Sequence, residues 1–488
     1  MEETSQNSTP LFDAVKRYVD SDVTPFHVPG HKHGRGISEL RKYVGKRILE
    51  MDVNGMEDLD YANNPTGVIS QSQKLLADAF GADNAYFLVN GTTSGVQAMI
   101  MSVCEPGSKI IIPRNAHKST IGGIILSGAI PVYVQPVINK QLGIAMGVTT
   151  KSIEHAIKNN PHAKAVFIIN PSYYGIASDL KSIVSLAHHH DMAVLVDEAH
   201  GAHMYFHCDF PMTAMQAGAD ISAVSIHKTA GSLTQSSALL LKSNLIDPNT
   251  VKKVMSLTYT SSASYLLMCS IDIARKQLAV NGRDILEKVL KLSRYAREEI
   301  NKIRGLYAFG NELIGTPGCF AFDETKLSIN IAGLGYTGYQ LENKLRKEYN
   351  IQMELSDICN ILAIISLGDR KQDLDLFINS LKDISAKAKP NTYPYQNALP
   401  DSPEMVVCPR EAFYSPKKTV SLENSIGEIS GEMIMVYPPG IPLVCMGERI
   451  TKDIIEYIKV LKNERCQIQG TADPYVNYVK VLGSNFIT

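Results

Sequence analysis

Between Tyr86 and Leu241 the chain alternates short apolar runs with stretches of helical spacing. Tyr86-Phe87-Leu88-Val89, Lys109-Ile110-Ile111-Ile112-Pro113 and Ile130-Pro131-Val132-Tyr133-Val134 each predict a strand. So do Ala165-Val166-Phe167-Ile168-Ile169, Ala193-Val194-Leu195-Val196 and Ser222-Ala223-Val224-Ser225, and Ala238-Leu239-Leu240-Leu241 adds one more. The spacing between them predicts helices near 94–104, 118–127, 151–159, 179–190 and 212–217. Strands that are apolar on both faces, separated by helices, predict an α/β fold with a mostly parallel sheet and helices on both faces.

Outside this block the pattern changes. Residues 1–50 read as an irregular arm, because Pro25 to Gly34 is too rich in Pro and Gly for a helix or a central strand. A helix follows from about Ser70 to Phe80, and long helices are expected over 265–305. Ser328–Ile331, a helix near 338–348 and Ile361–Ser366 predict a smaller α/β domain. Lys389-Pro390-Asn391-Thr392-Tyr393-Pro394 reads as a linker. The organisation expected is an arm (1–70), a large domain (71–300), a small α/β domain (301–389) and a C-terminal domain (390–488).

Composition narrows the class. A chain of 488 residues, 44% hydrophobic, can bury a large core. A net charge of −1 gives no electrostatic footprint for nucleic acid or an anionic membrane. No apolar run reaches the ~20 residues that cross a bilayer. Met1 to Pro10 is polar and unlike a signal peptide, and eight cysteines without a Cys-x-x-Cys pair predict reduced thiols in a cytoplasmic protein. His27, His31 and His33 could be read as a metal cluster, and so could His188-His189-His190, but the second run lies near the end of an amphipathic helix, where consecutive histidines point in different directions on a solvated face, and no metal is assigned.

The strongest chemical signal is a pair. Asp197 closes one apolar strand in Val194-Leu195-Val196-Asp197-Glu198-Ala199-His200, and Lys228 follows the next in Ser225-Ile226-His227-Lys228. Pyridoxal phosphate needs both partners. A lysine forms a Schiff base with its aldehyde, and an acid keeps a proton on its pyridine nitrogen. The Asp-Glu-Ala-His string of ATP-driven helicases would require a Gly-x-x-x-x-Gly-Lys-Ser/Thr loop upstream, which the sequence lacks. Asn90-Gly91-Thr92-Thr93-Ser94-Gly95 opens a helix after the first strand; Thr92, Thr93 and Ser94 suit a phosphate there, or cap an ordinary helix. Ser225 and His227 offer further donors beside the lysine. His117, in Arg114-Asn115-Ala116-His117-Lys118-Ser119, is a candidate to stack on the pyridine ring, or a helix cap. In Asn170-Pro171-Ser172-Tyr173-Tyr174-Gly175, Asn170 and Ser172 could bond the cofactor's 3′-oxygen, or simply form a turn. Glu432 could pair with a cationic substrate group beside the rigid loop that begins at Tyr437-Pro438-Pro439-Gly440, or stand exposed at a strand start.

Together these strings resemble the Orn/Lys/Arg decarboxylase family of fold-type I pyridoxal-phosphate enzymes, closest to short bacterial arginine decarboxylase-like members without an N-terminal wing domain. The run Ser225 to Ser237 and Tyr437-Pro438-Pro439-Gly440-Ile441-Pro442 with Gly447-Glu448 carry it most specifically. The resemblance implies an aspartate aminotransferase-like fold. It implies Lys228 as the Schiff-base lysine, Asp197 at the pyridine nitrogen, His117 stacking, and Thr93, Ser94, Ser225 and His227 at the phosphate. His200 would sit near the reacting carbons, and Glu432 and Tyr437 would meet substrate. It further implies decarboxylation of a basic amino acid, arginine favoured over lysine and ornithine, in at least a homodimer whose active site lies between subunits. One stretch departs: family members carry Leu-Asp-Asp-Leu-His where this chain has Leu59-Asp60-Tyr61-Ala62-Asn63. That departure keeps a second reaction open, oxidation or transamination of the same substrates, and a third reading is a non-catalytic cofactor-binding protein.

Overall fold

The computed structural model describes residues 5–242, 245–388, 400–436, 440–464 and 466–483. The predicted linker at 389–394 and Tyr437 lie outside these residues. The chain forms two compact units, Met1–Ser102 with Ala193–Glu287, and Val103–Met192 with Lys288–Thr488. The strands that matter here are β1 (Asn84–Leu88), β2 (Lys109–Pro113), β3 (Ile130–Val134), β4 (Ala165–Ile169), β5 (Ala193–Glu198), β6 (Ile221–Val224) and β7 (Ser237–Leu241).

In the first unit the strands run in the order β1-β7-β6-β5. β5 and β6 are parallel, with Asp197 opposite Ala223. β1, β5 and β6 run the same way, and β7 is the reversed strand of this unit, antiparallel to both of its neighbours. The reason is the short link from β6 to β7. It holds only the one-turn helix Ile226–Thr229, and an antiparallel neighbour needs no crossover helix. The helix Gly91–Val103 lies close on the sheet because residue 95 has no side chain. A Cβ there would come within 2.6 Å of Leu88 Cδ1 and 3.1 Å of Ala223 Cβ.

The N-terminal arm is helical in part, which corrects its reading as irregular. The helix Pro10–Asp20 buries Leu11, Ala14, Val15 and Tyr18, one stripe at helical spacing. Its first turn is held by Asp272, whose Oδ2 accepts the Leu11 N–H at 3.1 Å, and Asp272 in turn pairs with Arg275 at 2.8 Å with both side chains fully buried. Further along, Asp60 organises the departing stretch. Its backbone sits at φ 70°, and its carboxylate accepts the backbone N–H groups of Tyr61, Thr66, Gly67, Ile69 and Ser70 at 2.7 to 3.4 Å. It thereby satisfies the open first turn of the helix Val68–Phe80.

In the second unit β2 pairs in parallel with both β3 and β4. A four-stranded antiparallel sheet built on Lys326–Asn330 and Asn360–Ile364 forms a second layer with the helices Gly338–Glu348 and Lys371–Lys387. Leu327, Ile329, Leu341, Leu345, Phe377 and Leu381 share its core. The C-terminal residues, in which periodicity is weak, contain the amphipathic helix Lys452–Asn463, whose Ile454, Ile455, Ile458 and Leu461 are buried against Ile434 and Val444.

Asp60→Ala should lower stability by about 2 kcal/mol or more, since a lost N-cap alone costs up to about that much and further N–H groups are orphaned. Urea unfolding of the cofactor-loaded protein checks this; an unchanged midpoint would remove Asp60 as the organiser of residues 59–70.

Candidate active site

The first unit gathers a carboxylate, an amine and an imidazole at the C-terminal ends of β5 and β6, the edge where open α/β sheets bind ligands. Side chains alternate along a strand, and this sorts the two acids of β5. Glu198 points into the structure: it accepts from Tyr205 Oη, from Ser222 Oγ at 2.7 Å and from the Ala214 N–H at 2.8 Å. Asp197 points the other way. It is 6% exposed, and its Oδ1 accepts the Ala199 N–H at 3.0 Å. Burial raises its pKa, against the opposing effects of that N–H and the Lys228 charge.

Lys228 lies on the one-turn helix after β6, with Nζ 2.8 Å from His200 Nε2. An ammonium only donates, so in that state His200 Nε2 accepts and Nδ1 carries the ring proton. His227, half-buried, bonds the Ser236 carbonyl through Nδ1 at 2.9 Å, and burial, with the Lys228 charge beside it, lowers its pKa.

The helix Gly91–Val103 supplies the third component, an N-terminus whose Gly91 N–H is donated to the Gln235 carbonyl at 3.0 Å and whose next N–H groups lack partners within the helix. Of its hydroxyls, that of Thr92 is buried and spent inward, 2.5 Å from Ser225 Oγ and 2.9 Å from Ser237 Oγ. It fastens the helix to β6 and β7. Ser94 donates to the Gly91 carbonyl at 2.8 Å, while Thr93 is exposed. Ser237 was not foreseen, and nothing in an alternating apolar strand marks it.

The other candidates belong to the second unit. His117 caps the helix Lys118–Ser127, its Nδ1 accepting the Ser119 N–H at 3.2 Å. Asn170 is fully buried at the end of β4, and Ser172 closes a turn, its Oγ accepting the Ile176 N–H at 3.2 Å. Glu432 is buried, with Oε1 accepting the Lys480 N–H and Oε2 the Ala472 N–H, each at 2.9 Å. It staples distant C-terminal segments together instead of standing exposed.

Pyridoxal phosphate fits the first-unit residues. A buried carboxylate with one backbone donor wants a cation, which a protonated pyridine nitrogen provides. The amine of Lys228 is placed for the aldehyde, and the open N-terminus of the helix Gly91–Val103 suits a phosphate. Lys228 would hold the cofactor covalently and Asp197 would keep its ring cationic.

The chain matches the family model for the Orn/Lys/Arg decarboxylase major domain over residues 9–373 and that for the C-terminal domain over residues 394–473. It is 43% identical over 482 residues to an arginine decarboxylase of Bacillus subtilis, and 44% identical over 481 residues to one of Halalkalibacterium halodurans, each covering 98% of both chains. The lysine decarboxylase of Francisella novicida superposes with a TM-score of 0.86 at 20% identity, over 98% of this chain and 81% of that one. These likenesses correct the expected fold label. The similarity that spans the chain is to Orn/Lys/Arg decarboxylases, so the α/β fold of that family replaces the fold-type I, aspartate aminotransferase-like assignment.

The raised pKa of Asp197 carries a cost in the cofactor-free protein. Its folded pKa lies above the unfolded value, so the penalty is absent below the ordinary 3.8 and fully present above the raised value. Cofactor-free Asp197→Asn should therefore melt above the cofactor-free parent at pH 7, the gap closing as pH falls toward 4, while turnover of the loaded variant drops about 100- to 1,000-fold. Thermal melts across pH and a turnover assay check both; a variant less stable at pH 7 and equally active would contradict the assignment. The chain belongs to the Orn/Lys/Arg decarboxylase family of pyridoxal-phosphate-dependent enzymes.

Proposed function

We propose that this protein decarboxylates arginine at Cα, releasing carbon dioxide and agmatine. The observation that carries this reading is the join of two facts: Lys228, His200 and Asp197 gathered at one sheet edge, and full-length relatives named arginine decarboxylases at 43–44% identity.

The cofactor supplies an electrophilic aldehyde and an electron-accepting ring. Asp197, a buried carboxylate, would hold a proton on the pyridine nitrogen of a bound cofactor and so favour its electron-accepting form. Lys228 would hold the cofactor through its amine, which lies 2.8 Å from His200 Nε2. His200, within hydrogen-bond reach of Lys228 Nζ, takes and returns a proton there, and either group can deliver a proton to Cα. His117 is the residue assigned to stack on the ring. Asn170 is assigned to the 3′-oxygen, and Thr93, Ser94, Ser225 and His227 to the phosphate. Glu432 contributes through the fold it staples.

Decarboxylation is preferred to oxidation or transamination on the names of the full-length relatives. Tyr61 is 56% exposed, and Asn63 lines a cavity of about 280 Å3 with Lys74, Tyr86, Lys252 and Tyr259. Asp197, His200 and Lys228 are not among that cavity's walls. Among the described residues no helix is long and apolar enough to cross a membrane. The active form is proposed to be a homodimer or higher homo-oligomer. In its support, the arm exposes Phe26 at 93% and Tyr43 at 92%, and the helix Ser38–Val44 buries none of its residues.

Incubation with arginine, lysine and ornithine, with and without oxygen, tests the reaction. The expected result is agmatine and carbon dioxide in equal amounts from arginine, unaffected by oxygen. A keto acid, hydrogen peroxide or a preference for lysine would overturn it. Lys228→Ala should abolish turnover and the visible absorbance of bound cofactor, and an active variant would end the assignment.

A further inference from the structure

Arg114 and Glu448 are 334 positions apart, and the second unit buries them together. Arg114 is 7% exposed and Glu448 is fully buried. The guanidinium donates to Glu448 Oε2 at 2.8 Å, to the Pro442 carbonyl at 2.8 Å and to the Leu443 carbonyl at 3.2 Å. Glu448 Oε2 also accepts the Cys445 N–H at 2.6 Å, closing residues 445–448 into a turn. The guanidinium carbon lies 5.4 Å from the centre of the Tyr133 ring. One planar, forked cation thus collects a carboxylate and two consecutive carbonyls, a task for which lysine has the wrong shape.

The position of this knot matters more than its strength. Arg114 is three residues before His117, and its own N–H is fixed to the Val134 carbonyl at 2.9 Å. At the other end of the same segment, just before the strand Ile441–Val444, the Gly440 carbonyl accepts the Lys118 N–H at 3.0 Å, gripping the peptide that follows His117. The imidazole is therefore located from both sides: by the strand end that carries Arg114, and by the C-terminal segment 440–448, whose strand Ile441–Val444 pairs with Ile434–Val436 and is fastened to Arg114 and Glu448. Arg410 reinforces the contact, donating to the Leu126 carbonyl at 2.9 Å at the far end of the helix that His117 caps.

We propose that the buried Arg114–Glu448 pair is a positioning device for His117, fixing the orientation of its imidazole. Neither residue touches substrate or cofactor; both act through residues 440–448. The proposal rests on the reading of His117 as the stacking residue.

The test compares Arg114→Lys and Glu448→Gln in the cofactor-loaded enzyme, each alone and combined with His117→Ala. The readouts are kcat, KM and the visible circular dichroism of the bound cofactor, which reports how the ring is held. Each single variant should lower kcat about 10- to 100-fold, the cost of an ångström-scale misplacement, with KM little changed and the dichroism weakened toward that of His117→Ala. In the His117→Ala background the same substitutions should change kcat by less than about 2-fold, because the residue they act through is gone. Equal losses in both backgrounds, unchanged kcat and dichroism, or failure of both conservative variants to give soluble loaded protein would each overturn the proposal in favour of a purely structural pair. If His117→Ala alone leaves kcat and dichroism unaltered, the stacking assignment itself has failed, a result distinct from any of these.

Discussion

A carboxylate buried at the end of a central strand is an expense that the rest of the first unit is arranged to use. Asp197 gives up most of its hydration for one backbone N–H and the field of a nearby lysine. The parallel register of β5 and β6 delivers both groups to the same edge, so the pairing is a property of the sheet and not of a mobile loop. A cationic ring bound there restores to the carboxylate the partner that folding denied it. A cofactor held there would complete the electrostatics of the fold as well as supply the chemistry.

Around that centre, Glu198 and Thr92 have defined structural uses. Glu198, next in sequence, is consumed by Tyr205, Ser222 and Ala214 on the opposite face of the strand. Thr92 looks like a phosphate ligand in the sequence, yet its hydroxyl ties the helix N-terminus to Ser225 and Ser237. That tie fixes the direction of the open N–H groups, and Gly95 lets them come close to the sheet.

The parts of this architecture legible in the sequence are those that local pattern determines. β2, β3 and β4 emerge with the boundaries that their apolar runs predict, and so does the helix Lys118–Ser127. Asp197 and Lys228 are legible because a strand end followed by a turn leaves few places for a side chain to go. The direction of β7 is not legible, since a strand buried on both faces reads alike in either direction. The helix Pro10–Asp20 carries a clear stripe at 11, 14, 15 and 18, overshadowed by the Pro- and Gly-rich run that follows it. Glu432 and Glu448 are opaque for a different reason. Their partners lie 40, 48 and 334 positions away, and no spacing rule reaches that far.

The central claim is a covalent one, and chemistry can trap it. Borohydride reduction of the cofactor-loaded protein, followed by proteolysis and mass spectrometry, converts the attachment into a stable pyridoxyl-lysine at a single position. The account predicts that the added mass sits on the peptide containing Lys228, and that prior saturation with substrate diminishes it. Label on any other lysine, or none on a protein that retains its cofactor, would contradict it.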